Sequence, residues 1–124
     1  MRRIAEQVTF DGVNDVVVGF GPFSPGDYLD SVHWRFPAPT VGNTGLFVRV
    51  GLFTQRVSSD PAAFLPEEAT SPGLVLAGGS SLSLPVNLVV YLKERVRNYR
   101  YIGVLSRFGE ASACGVWLTY RQSG

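Results

Sequence analysis

Glycine and proline punctuate this chain at short intervals, fourteen and eight of them in 124 residues. The runs between them are rich in Val, Phe, Tyr and Leu. Short apolar runs bounded by turn residues are the signature of an all-β sandwich or barrel, because a strand is complete within roughly four to eight residues and a helix is not. The runs count to seven or eight, so the sequence predicts an all-β fold, a β-sandwich or jelly roll of antiparallel strands. With 45% hydrophobic and 17% charged residues, 124 residues suit one domain over 1–124, with an extended N-terminal arm at 1–6 as an option.

Alternation assigns faces within the runs. Ile4, Val8 and Phe10 share a side, interrupted by Glu6, and Asp11-Gly12 then gives a hairpin-type turn. Val16, Val18 and Phe20 point one way and Val17 the other. From Tyr28 to Phe36, Tyr28, Val32, Trp34 and Phe36 fall on one face, and Leu29, Ser31, His33 and Arg35 on the other. Leu46, Val48, Val50 and Leu52 form a stripe, while Phe47 and Phe53 make the opposite face partly apolar, as expected of a central strand or of a face covered by a partner. Turns are expected at 37–43 and 78–81. Three prolines bar regular strand from Ser58 to Gly73, and Asp60 to Phe64 suits a short helical turn with Pro61 at its start. Short strands follow at Leu74–Leu76 and Ser81–Leu84. Residues 86–98 carry both helical and strand spacing; the β-branched content favours a strand to about Lys93 and then a charged turn. Tyr99–Phe108 and Ala113–Arg121 read as two more strands, most simply a hairpin about Gly109-Glu110, with Trp34 and Trp117 in or near the core.

The candidates for chemistry are few. Cys114 is the sole cysteine, which excludes an internal disulfide framework and a multi-cysteine metal site and suits a reducing cytoplasm. Its alternation with Val116 and Leu118 marks it as a core residue rather than a nucleophile. His33 has no second histidine and no neighbouring cysteine, so it makes a poor metal site and reads as a strand residue facing outward. The acids are scattered over turns, and no glycine pattern has the strand–turn–helix setting of a phosphate loop. The sequence therefore predicts no catalytic residue, no metal, no cofactor and no enzymatic activity. A net charge of +1 supplies no field to recruit nucleic acid or an anionic membrane, and no stretch approaches the ~18 apolar residues of a membrane span. The basic cluster Lys93, Arg95, Arg97 and Arg100, interleaved with tyrosines, fits a solvated turn or a protein contact better than a site for single-stranded nucleic acid.

Residues 60–122 carry a family likeness. "DPAAFLPEEATSPGLVLAGGSSLSLP" is followed, after an extra stretch, by "NYRYIGVLSRFGEASACGVWLTYRQ". The acidic-aromatic step Asp60 to Phe64, the Leu84-Pro85 step, the arginine-tyrosine strand Arg100 to Val104 and the closing strand Gly115 to Tyr120 resemble the capsid cement, or decoration, proteins of tailed bacteriophages. The likeness is vaguer over 8–55, and residues 86–98 are longer and more charged than its pattern. The resemblance implies a virion structural protein that binds the assembled head and stabilises contacts between major capsid subunits, on the capsid exterior after synthesis in the host cytoplasm. It implies the major capsid protein as partner, self-association into dimers or trimers, and no catalytic residues. Contact residues expected on this reading are Arg2, Arg3, Phe20, Phe23, His33, Phe64, Leu65, Arg95 and Arg97. Two alternatives stand beside it: a carbohydrate-binding β-sandwich using Trp34 and Trp117 as exposed platforms, and a structural protein of the phage tail or fibre.

Overall fold

The alternating runs become nine antiparallel strands in the computed structural model, which describes residues 1–36, 45–69, 74–77 and 86–122. They are β1 (Arg2–Asp11), β2 (Val16–Phe20), β3 (Tyr28–Phe36), β4 (Gly45–Phe53), β5 (Glu68–Ala69), β6 (Leu74–Ala77), β7 (Val86–Arg95), β8 (Tyr101–Phe108) and β9 (Ala111–Arg121). The strand expected at 81–84 and the turns expected at 37–43 and 78–81 lie outside the described residues.

The strand order defines the topology. One sheet runs β1-β9-β3-β7; the other runs β2-β8-β4-β5, with β6 also paired to β4. Pairing is nested: β1 with β9, β2 with β8, β3 with β7 and β4 with β6. The β9–β3 and β8–β4 pairings then complete the two sheets. A chain paired in this nested way and wrapped into two facing sheets is a jelly roll, with two-residue β5 as an addition to the edge. The sandwich class read from the sequence is therefore the fold.

Two hairpins expected from turn chemistry are absent. β1 and β2 belong to different sheets, as do β8 and β9. Asp11-Gly12 does reverse the chain: the Asp11 carboxylate accepts hydrogen bonds from the amides of Val13 and Asn14 at 2.8 and 2.7 Å, and Gly12 takes a φ of +88°. A tight turn fixes the reversal but not the partner. Each flanking strand has its own apolar face to bury, and at a sandwich corner the chain crosses to the opposite sheet to do so. Nor do residues 2–6 form an arm. They lie within β1, paired to β9 from Arg2↔Tyr120 to Glu6↔Val116.

The core fills the space between the sheets. Val8, Phe10, Val32, Trp34, Leu46, Val48, Val50, Val116 and Leu118 are buried there, as the alternation predicts, and Ile102 and Val104 of β8 join them. β3 departs from strict alternation. Its register shifts between Leu29 and Ser31 against both neighbours, the mark of a β-bulge at Asp30. The extra residue turns Leu29 inward, where it is buried, and sends Tyr28 to the outer face, opposite to the faces a plain period of two assigns them.

The outer face of the five-stranded sheet is roofed by the chain's own segment 54–67. Gly19, Gly103 and Gly51 are aligned across β2, β8 and β4, and they leave a trough in the surface. A Cβ on Gly19 would stand 2.8 Å from Val57, one on Gly103 2.5 Å from the Phe53 ring, and one on Gly51 2.2 Å from Pro66. Phe64 is dropped into this trough by a 3-10 turn at Pro61–Ala63, capped by Asp60, whose carboxylate accepts the Ala62 amide at 3.0 Å. There Phe64 meets Phe53 edge-on and completes a second apolar cluster with Val17 and Leu105. The outer face of β4 around Gly51 and Phe53 is thus covered by the chain's own loop, while Arg107 lies over the Phe47 ring.

Candidate interaction face

The outer face of the four-stranded sheet has no such roof. Its side chains follow from register. Ala5, Trp117 and His33 lie in one row across β1, β9 and β3, and Arg3, Thr119 and Ser31 in the next. Beyond the bulge, Arg121, Tyr28 and Arg95 form a third row across β9, β3 and β7.

Two ladders of planar groups result. In the first, the His33 imidazole stacks on the Trp117 indole, with ring centroids 5.1 Å apart and planes 2° from parallel. The Arg3 guanidinium lies 4.8 Å from the same indole. In the second, Arg121 and Arg95 lie 4.6 and 6.0 Å from the Tyr28 ring. Cation–π contact of this kind leaves the guanidinium N–H groups available. Exposed Arg35 and Tyr91 extend the face; Tyr91 is 68% exposed, with Lys93 6.0 Å from its ring.

Between the ladders sits a polar cluster. Ser31 Oγ is 3.1 Å from Asp30 Oδ2, 2.8 Å from His33 Nε2 and 2.7 Å from Thr119 Oγ1. A hydroxyl has one proton and two lone pairs. Every group is satisfied when Ser31 donates to Asp30 and accepts from Thr119 and from the His33 Nε2–H. In that arrangement the imidazole is a donor to Ser31, not a base acting on it. Asp30 is hydrogen-bonded to the serine rather than orienting the imidazole, and Ser31 is only 2% exposed. These are the opposite of the relations that activate a serine nucleophile. Burial holds the His33 pKa below its ordinary value; Asp30 opposes this and Arg3 reinforces it. Burial likewise raises the Cys114 thiol to about 11, keeping it protonated at neutral pH. Among the described residues no group of three or more His, Cys, Asp or Glu is placed to hold a metal. No helix among them is long and apolar enough to cross a membrane.

The expected contact residues separate into three groups. Arg3, His33 and Arg95 come together on the open face. Arg2, at the start of β1 opposite Tyr120, and Arg97, just past β7, are exposed near it. Leu65 is 77% exposed, but it lies with the roof over the other sheet. Phe20, Phe23 and Phe64 are buried, the last two against Tyr120 and Phe53, so they serve the interior and not a surface. Phe23 is held there by a backbone hydrogen bond of 2.8 Å to the Arg100 carbonyl, while Arg100 Nε donates back to the Phe23 carbonyl. The segment 86–98 forms β7 and a turn, two residues longer as a strand than the sequence suggests. Sequence reasoning missed Trp117, Tyr28 and Arg121. Trp117 was expected in or near the core, although the alternation that puts Cys114, Val116 and Leu118 inside places it on the opposite side, and the register of β9 with β3 sets it beside His33.

No family model matches this chain, and no curated protein matches it. Among solved structures, one of infectious bursal disease virus, Gx strain, is similar with a TM-score of 0.39 and 14% identity. The match covers 99% of this chain and 33% of that chain, so this chain spans about a third of its length. The jelly-roll assignment rests on the strand order above, not on this likeness.

Proposed function

We propose that the chain is a virion structural protein, a capsid cement protein of a tailed bacteriophage. On this reading it binds the assembled head and stabilises contacts between major capsid subunits, and it performs no catalysis. The observation that carries the proposal is the asymmetry of the sandwich: the chain's own loop covers the glycine trough of one outer face, and the other, with no such roof, presents arginine, tyrosine and tryptophan. These are the residue types enriched at protein contacts. The likeness over residues 60–122 supports it. Asp60 to Phe64 is the turn that seats the roof, Arg100 to Val104 leads into β8, and Gly115 to Tyr120 forms most of β9. Jelly rolls serve viral capsids, lectins and cupins alike, so topology alone does not choose among them. The sugar-binding alternative loses its aromatic pair, since Trp34 is fully buried and Trp117 is flanked by His33 and Arg3.

A protein that binds the shell and not its free subunits stabilises the shell by mass action. The test is sedimentation of the purified protein with expanded phage heads, followed by heating. The proposal expects co-sedimentation and a higher temperature of head disruption. Failure to bind heads, together with binding on a glycan array, would replace it with the lectin reading. Self-association into dimers or trimers belongs to the same proposal and is read by sedimentation equilibrium.

A further inference from the structure

Among the described residues, the three guanidinium groups of the two ladders have no carboxylate partner. The one ion pair among the described residues is Arg107 with Asp15, at 3.5 Å, on the other sheet. Asp30, at the bulge between the ladders, is already taken up by the Ser31 hydroxyl. Arg3, Arg95 and Arg121 instead lie within 4.6–6.0 Å of ring centroids, a cation–π contact that leaves their N–H groups available. A planar fork left unpaired is matched by a carboxylate, which it binds through two parallel hydrogen bonds. We propose that the outer face of the four-stranded sheet docks a carboxylate-bearing protein surface, with Arg3, Arg95 and Arg121 as the receiving forks.

Two observations favour a polypeptide over single-stranded nucleic acid. Base stacking needs a free aromatic face. The Trp117 ring has His33 and Arg3 against it and the Tyr28 ring has Arg95 and Arg121 near it, which leaves Tyr91 as a single exposed ring rather than a platform of successive rings. The net charge of +1 also gives no long-range attraction for a polyanion. The inference deepens the function proposed above and rests on it for the partner's identity, but the chemistry of the face can be tested without phage heads.

The probe is a fluorescent glutamate-rich peptide, titrated into the full chain at physiological salt and followed by anisotropy. Oligothymidine and a lysine-rich peptide are titrated in parallel. Saturable binding of the acidic peptide is expected. Arg3→Gln and the double variant Arg95→Gln/Arg121→Gln should each weaken it, by about tenfold per guanidinium removed. Arg107→Gln and Arg49→Gln, on the other sheet, should leave it unchanged. Circular dichroism and a urea melt establish that each variant folds. Arg95→Lys/Arg121→Lys keeps the charge without the fork and should not restore affinity. Equal losses on both sheets, restoration by lysine, or tighter binding of oligothymidine would each overturn the proposal. Binding of the acidic peptide without binding to heads would keep this inference and reject the cement assignment.

Discussion

Replacing each of three strand glycines by alanine should shift stability in different directions, although the chemical change is the same. Gly51 and Gly103 lie under the roof, and Gly115 lies on the open sheet. A Cβ at Gly115 would find its nearest neighbour 3.9 Å away, at the Arg35 carbonyl, which is ordinary contact. Alanine there removes backbone freedom from the unfolded chain and should stabilise by about 0.5–1 kcal/mol. At Gly51 the new methyl would sit 2.2 Å from Pro66 Cβ, and at Gly103 2.5 Å from the Phe53 ring. Pro66 cannot rotate away, and Phe53 is confined against Phe64. Inserting a methyl into a filled site costs about 1–3 kcal/mol, which exceeds the entropic gain. Gly51→Ala and Gly103→Ala should therefore destabilise by roughly 1–2 kcal/mol, separating them from Gly115→Ala by about 2 kcal/mol or more. In a domain of this size that is a difference of about 8 °C in Tm. Urea melts followed by tryptophan fluorescence, with m-values compared, give the ordering directly. If Gly51→Ala and Gly115→Ala move together, segment 54–67 does not rest in the glycine trough.

Other expectations follow from the same geometry. Of the two tryptophans, Trp34 is inaccessible and Trp117 is on the outer face, so acrylamide should quench part of the native fluorescence, and Trp117→Phe should remove the quenchable part. Cys114 should resist a disulfide exchange reagent at pH 8 in the native state and react once the chain unfolds, since burial holds its thiol at about 11. The His33 pKa is lowered in the folded state, so the unfolded chain binds the proton more readily. Stability from this group is full above its ordinary value of 6.5 and is lost as pH falls below it. The His33→Gln variant should lose that part of the acid dependence below the ordinary value of 6.5, as measured by urea melts across pH.

Fold class was legible because burial against a single opposite layer imposes a period of two, and Val16–Phe20 and Leu46–Phe53 display it plainly. Core positions in these runs followed directly. Strand partners were not legible. The Asp11-Gly12 and Gly109-Glu110 turns have the chemistry of hairpins but carry the chain between sheets, and nested pairing depends on contacts far apart in sequence. The bulge at Asp30 was equally hidden, because one inserted residue reverses every face before it; hence Tyr28 and Leu29 exchanged sides. Nothing in the sequence singles out Gly19, Gly51 and Gly103 as a group. Only register shows that they form one trough for Phe64 and Pro66. Of the expected contact residues, the charged ones emerged at the surface and the loop phenylalanines did not. Phe64 and Phe23 are buried because the sheets leave space for their rings, whereas Leu65, in the same loop as Phe64, finds none and stays exposed.

The central claim is that the protein works through the open face of its four-stranded sheet. Hydroxyl-radical footprinting of the chain, free and bound to phage heads, tests it most directly. The account predicts that oxidation of Trp117, Tyr28 and Tyr91 falls on binding while that of Leu65, on the roof of the other sheet, is unchanged. Protection of Leu65 with Trp117 and Tyr91 still fully reactive would contradict it.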